Sequence, residues 1–177
     1  MSLKDYVGSL PRWEDERAIR HTMDLYSHAM DYGEEEVWRD CFTDDALFLV
    51  SDAQKSYDEI YRVQGDRVLR DYIAAYPRPP AVFAKHLCTQ ILVRVEGRNA
   101  TAESFWVAIN SEGGGQGGGQ GGGKPNIMAF GRYKDRLVAC PDGRWRFRER
   151  ICETESANWP EPGTYTDRSN FSSTAGA

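Results

Sequence analysis

The chain has no apolar run approaching the roughly 20 residues that a membrane-spanning helix needs. It opens on Met-Ser-Leu-Lys-Asp-Tyr, without the apolar stretch of a secretion signal. Cysteine is sparse, with four in 177 residues, and no two of them form a Cys-x-x-Cys pair. Cys41, Cys88, Cys140 and Cys152 therefore read as reduced, packed thiols rather than a disulfide framework. Histidine is scarcer still: the three lie at no metal-ligand spacing from one another or from the cysteines, which argues against a zinc site. An excess of positive charge is missing too. The formal net charge is −5 and basic residues are scattered among acidic ones, so no nucleic-acid-binding stripe forms. These absences predict a soluble cytoplasmic protein with neither nucleic acid nor membrane as partner. Its 177 residues suit a single domain with a sizeable core.

From Trp13 to Tyr32 the apolar residues Ile19, Met23, Tyr26 and Met30 recur at helical steps, with charged residues opposite, and Gly33 closes the run. A second short helix is expected over 34–41, with Val37, Trp38 and Cys41 inward, followed by a short strand at 46–50. Residues 51–64 show no period and read as loop. Leu69, Tyr72, Ile73 and Tyr76 predict a helix over 66–76, which Pro77, Pro79 and Pro80 cannot continue. Four segments then read as strands, 85–96, 100–110, 126–138 and 144–154, with turn signals at 96–99 and 141–143. Helices followed by antiparallel hairpins predict an α+β fold, a curved, mainly antiparallel sheet wrapped around the helices. The concavity between the two is a usual place for a small-molecule site. The core spans 13–156; the glycine-rich segment 113–123 reads as a flexible hairpin loop and 160–177 as a surface tail, lying across the molecule or a neighbouring subunit.

Chemistry gathers at four residues from three distant segments. Tyr26 and Asp31 stand near the end of the first helix, His86 opens a strand, and Arg150 lies on the last strand. Each has a plainer reading. Asp31 before a turn is first of all a cap for the next helix, and His86 could be a satisfied core histidine. By alternation His86 shares its face with Cys88, Gln90 and Leu92, while Arg150 falls in the exposed set of its strand and requires a bulge or a pocket on that face. Tyr26 and Asp31, five residues apart, sit about 140° apart around an ideal helix. His21 and His28 project from the charged side of the first helix. Phe48, Tyr57, Trp106, Phe130 and Tyr133 read as packing residues, and are the candidates for a pocket wall.

The phrases Ala-Ile-Arg-His-Thr-Met-Asp-Leu-Tyr-Ser-His-Ala-Met-Asp-Tyr-Gly, Trp-Arg-Asp-Cys-Phe-Thr-Asp-Asp-Ala, Gly-Arg-Tyr-Lys-Asp-Arg-Leu and Asp-Gly-Arg-Trp-Arg-Phe resemble the SnoaL-like branch of the NTF2-like superfamily. The resemblance covers residues 13–156 and implies a cone-shaped α+β barrel. That branch includes scytalone dehydratase, bile-acid dehydratase and hexachlorocyclohexane dehydrochlorinase, and the same fold also serves the non-catalytic small subunit of ring-hydroxylating oxygenases. It implies a cofactor-independent, metal-free lyase in which Asp31 orients His86 as general base. Tyr26 faces the pocket, and Arg150 assists the leaving group. The implied substrate is a hydrophobic cyclic or polycyclic molecule, with an isomerase, a polyketide cyclase or an accessory subunit as alternatives. More aromatic residues lie on the last strands than one pocket requires, so a homodimer or homotrimer is expected.

Overall fold

The computed structural model describes residues 3–8, 10–79, 82–112 and 124–157. Helix α1 covers Trp13–Tyr32, α2 Glu35–Asp40 and α3 Asp66–Ala74, with single 3₁₀ turns at Leu3–Tyr6 and Ala53–Lys55. The strands are β1 Phe42–Asp52, β2 Asp58–Gln64, β3 Ala84–Glu96, β4 Asn99–Glu112, β5 Lys124–Ala139 and β6 Trp145–Ala157. They form one sheet in the order β2-β1-β6-β5-β4-β3, antiparallel except for β1 against β6. The fold is α+β, an open curved sheet holding α1 against its inner face. Among the described residues no helix is long and apolar enough to cross a membrane.

Local sequence explains how α1 is set. Glu14, Asp15 and Glu16 occupy its first turn, where negative charge complements the helix dipole. Gly33 ends it in the left-handed region (φ 73°), donating its N–H to the Ala29 carbonyl. A side chain there would also collide with Arg78, whose Nη1 donates to the Gly33 carbonyl at 3.1 Å. Ile19, Met23, Tyr26 and Met30 are buried along the inward stripe, as their spacing predicts, while His21 and His28 are exposed. Tyr26 is the hub of an aromatic core, 5.7 Å from Trp38, 5.9 Å from Phe42 and Phe147, and 6.3 Å from Phe48 between ring centroids. At the closed end the buried Arg39 fastens α2 to its neighbours, bonding Asp66 at the start of α3 and Asp44 and the Phe42 carbonyl on β1.

Several expectations need correction. Residues 51–64 are not loop: β1 runs on to Asp52, and β2 pairs with it from Asp58. The period was hidden because β2 is an edge strand with only Tyr61 and Val63 buried, entered through positive φ at Ser56 and Tyr57. Val37 is exposed, since the six-residue α2 turns only Trp38 and Arg39 inward. Helix α3 stops at Ala74, two residues early; β3 ends at Glu96 as expected, while β4, β5 and β6 run on to Glu112, Ala139 and Ala157. Segments 113–123 and 160–177 lie outside the described residues, though β4 and β5 on either side of the first pair antiparallel.

Bulges give the sheet its shape. In β6, Phe147 pairs with Leu137 and Glu149 with Arg136, so Arg148 is the extra residue. In β3 the register breaks between Thr89 and Leu92, where Gln90 takes a φ of 53°. Arg20 of α1 reaches this irregularity, donating to the Ile91 carbonyl at 2.9 Å. A third break follows Phe130, where Gly131 brings β5 so close to β6 that any Cβ would overlap the Glu153 carbonyl. Gly131→Ala should therefore destabilise the fold by about 1–3 kcal/mol, as overpacking does. Thermal unfolding would check this, and an unchanged Tm would show that the strands separate freely there.

Candidate active site

Asp31 lies in the last turn of α1, where no basic residue offsets the negative helix end. A carboxylate is unfavourable there unless donors hold it, and β3 supplies two. The His86 backbone N–H donates to Asp31 Oδ2 at 2.9 Å, and His86 Nδ1 lies 2.5 Å from Asp31 Oδ1. A carboxylate only accepts, so the Nδ1–H belongs to the imidazole and Nε2 carries the lone pair. On that side Tyr76 Oη stands 3.2 Å from Nε2. Both side chains of the Asp31–His86 contact are nearly excluded from water, at 5% and 8% exposure.

His86 lines two spaces. Inside the cone is a cavity of about 30 Å³ walled by Tyr26, Phe48, Tyr61, Tyr72, Trp106 and Tyr133 among others. By the one-water threshold of about 10–15 Å³ it has room for a water or two. Outside, between α1 and β3, is a cleft of about 300 Å³ that Asp31 and His86 share with Asp24, His28 and Lys85. A groove of about 1000 Å³ at the closed end contains neither of the pair. Its arginines, Arg39, Arg70, Arg144 and Arg146, are already matched to carboxylates, so size does not make it the chemical centre.

Of the residues singled out from sequence, Phe48, Trp106 and Tyr133 line the inner cavity with Tyr26 and His86. Tyr57 and Phe130 do not. Tyr57 is half exposed on the outer face beside Arg132 and Lys134, because the positive-φ turn before β2 carries it past the edge of the barrel. Phe130 points outward by plain alternation along β5, where Gly131, Tyr133, Asp135 and Leu137 take the inward positions. Gln90 and Leu92 likewise leave the His86 face at the β3 bulge, and Ile91 and Val93 turn inward in their place.

Arg150 has turned inward through the bulge at Arg148 and has no exposed surface. It does not reach the cavity. Its guanidinium lies 3.8 Å from the Tyr133 ring centroid, 4.0 Å from Tyr26 and 4.4 Å from Phe147. Its Nε is 3.4 Å from Oδ1 of Asp135, the cross-strand residue that sequence reasoning missed. Burial opposes the charge on Arg150, but Asp135 and the phenols of Tyr133 and Tyr26 hold its pKa above the ordinary value. Burial likewise pushes the Tyr26 and Tyr133 phenols well up against the pull of Arg150, so both remain hydrogen-bond donors. Burial also raises the thiol of Cys88, which excludes it as a ready nucleophile.

Comparison with known proteins agrees with this architecture. The sequence profile of the SnoaL-like domain matches residues 11–151, and the chain belongs to that family. Among solved structures it is similar to a protein assigned as the β subunit of an aromatic-ring-hydroxylating dioxygenase from Novosphingobium aromaticivorans. The two are 22% identical with a TM-score of 0.68, over 81% of this chain and 91% of that one. A protein of unknown function from Mycobacterium tuberculosis gives 25% identity and a TM-score of 0.65, over 88% and 85% of the two chains. A protein from N. aromaticivorans assigned as a scytalone dehydratase gives 22% and 0.60, over 80% and 85%. At these identities the likeness is one of fold. No curated protein sequence matches the chain.

Burial raises the Asp135 carboxyl to about 7, against the opposing pull of Arg150. An acid whose folded pKa lies above its unfolded value binds its proton more tightly when folded. Its contribution to stability is thus largest below about pH 4, declines as pH rises to about 7, and is level above that. Asp135→Asn should remove this downward slope. Tm measured against pH for both proteins tests it, and parallel curves would mean that Asp135 is already ionised throughout.

Proposed function

We propose that the protein is a cofactor-independent lyase of the dehydratase type acting on a hydrophobic cyclic or polycyclic small molecule. The observation that carries this reading is the 2.5 Å contact of Asp31 with His86 at the wall of an aromatic cavity. Imidazole has the basicity to take a proton from an activated carbon near neutral pH. His86 Nε2 takes that proton; Asp31 fixes the tautomer and stabilises the imidazolium that forms. Tyr26, kept protonated by burial, offers a hydrogen bond to the substrate carbonyl or the departing hydroxyl. Arg150 acts through the rings of Tyr26 and Tyr133 rather than by touching substrate. An isomerase or a polyketide cyclase would use the same proton transfer without net loss of water.

The size of the cavity favours a second reading. At about 30 Å³ it admits no cyclic molecule unless its walls move, as an accessory subunit with a filled core would require. A screen of hydroxylated steroids and aromatic polyketides for loss of water separates the two. With a substrate in hand, His86→Ala and Asp31→Asn should each lower kcat on the order of a hundredfold or more, with KM largely kept. Tyr26→Phe should cost less, because it deletes one hydrogen bond and keeps the ring. Wild-type turnover in the His86 and Asp31 variants would leave the accessory role standing.

The outer face of the sheet supports self-association. Leu87, Val107 and Phe130 form one register row across β3, β4 and β5, with Phe105 and Ile127 exposed on adjacent rows. Beside them Arg132 and Lys134 pair with Glu153 and Glu155, so both signs of charge border the apolar rows. A second copy meeting this face about a two-fold axis would match apolar to apolar and basic to acidic. Sedimentation at micromolar concentration should show a dimer or trimer, and Phe105→Glu should shift it towards monomer. A monomeric wild type would refute the assembly.

A further inference from the structure

The geometry points to Tyr76 as a third catalytic residue, the general acid that works opposite His86. This rests on the reading of His86 as base and adds a proton donor to it. Tyr76 follows α3 directly, tied to it by a bond from its N–H to the Ile73 carbonyl at 3.1 Å. Its ring lies 5.9 Å from Tyr72 and 6.0 Å from the imidazole between centroids. With the Nδ1 proton given to Asp31, Nε2 is an acceptor, so the 3.2 Å contact is an O–H of Tyr76 donated to the base. The phenol therefore stands where a substrate proton must arrive, on the wall of the cavity that His86 lines. In the same wall Tyr61 Oη lies 3.1 Å from Tyr72 Oη, while Tyr76 is the phenol in contact with the base.

A substrate that places its acidic carbon at Nε2 displaces the Tyr76 hydroxyl by about one contact distance, and the displaced O–H then faces the substrate's neighbouring oxygen. The step balances within this set. The C–H proton passes to Nε2 as its electron pair forms the new carbon–carbon double bond. The C–O bond breaks, its oxygen takes the Tyr76 proton and leaves as water. The phenolate then recovers a proton from the imidazolium at Nε2. Acid and base lie on one side of the substrate, so the hydrogen and hydroxyl are lost from the same face. The substrate class is a neutral β-hydroxy ketone, since among the described residues the cavity walls offer aromatic faces and phenols but no Lys, Arg, Asp or Glu side chain.

The test uses Tyr76→Phe, which keeps the ring and deletes the hydroxyl. In ¹⁵N spectra of the full chain, its Nε2 resonance should move towards that of a free pyridine-type nitrogen while Nδ1 stays in place. The second arm compares loss of water from 3-hydroxy-1-tetralone, a neutral β-hydroxy ketone, with deuterium wash-in at the α-carbon of 2-tetralone in D₂O, which has no leaving hydroxyl and needs only the base and a donor to the carbonyl. Tyr76→Phe should slow dehydration on the order of a hundredfold while wash-in is largely kept, and 3-fluorotyrosine at position 76 should restore much of the dehydration with a displaced pH profile. An unchanged Nε2 signal, or dehydration as fast in Tyr76→Phe as in wild type, would overturn the inference. Wash-in or dehydration that survives His86→Ala would instead sink the lyase reading, and this inference with it.

Discussion

A guanidinium with no exposed surface must be compensated from within, and Arg150 is compensated by aromatic faces and one carboxylate rather than by hydrogen bonds to its nitrogens among the described residues. Three aromatic faces, those of Tyr26, Tyr133 and Phe147, surround it, and Asp135 stands across the strand pair. Removing one partner of such a buried pair costs about 3–5 kcal/mol, more than most single contacts in a domain. The aromatic residues are thus held as much by the charge as by one another. Tyr26 joins α1 to this assembly, Phe147 joins β6 and Tyr133 joins β5. The position of the helix over the sheet follows from it.

The cavity wall inherits that arrangement. Tyr26 and Tyr133 present one face to Arg150 and line the space in which His86 stands. On the other flank, the Asp31 carboxylate works against the helix dipole and is kept by two donors from one residue. Local preference is overridden twice within a few residues of the cavity, once by a buried cation and once by an acid at the wrong end of a helix. Such conflicts between local preference and position tend to mark functional sites.

Much of this was legible beforehand where a simple period rules. The inward stripe of α1 and the late antiparallel strands follow from spacing. Asp31 and His86, named from the family phrases, lie in contact. Reasoning by alternation failed wherever a bulge inserts a residue. Leu92 was assigned to the wrong face for that reason, and Arg150 is turned inward by the bulge that Arg148 supplies; Phe130, a candidate for the pocket wall, lies outside by plain alternation with Tyr133. Asp135 was missed because nothing in its own segment marks it; its partner lies across the sheet. Tyr76 was read as a helix residue, and its contact with His86 depends on how α3 ends and the chain returns through the prolines. The strand at 58–64 escaped because an edge strand buries too few side chains to show a period.

The parallel pairing of β1 with β6 sets the order in which the molecule can come together. The two strands that join the β1–β2 hairpin to the rest of the sheet are the first and last of the described strands in chain order, separated by about a hundred residues of chain. Until β6 exists, β1–β2 is an isolated hairpin and β3–β4–β5 a separate meander, with neither Phe147 nor Arg150 to unite them. Residues 145–157 are the keystone of the sheet, and the strands that precede them must wait unclosed for them to be made.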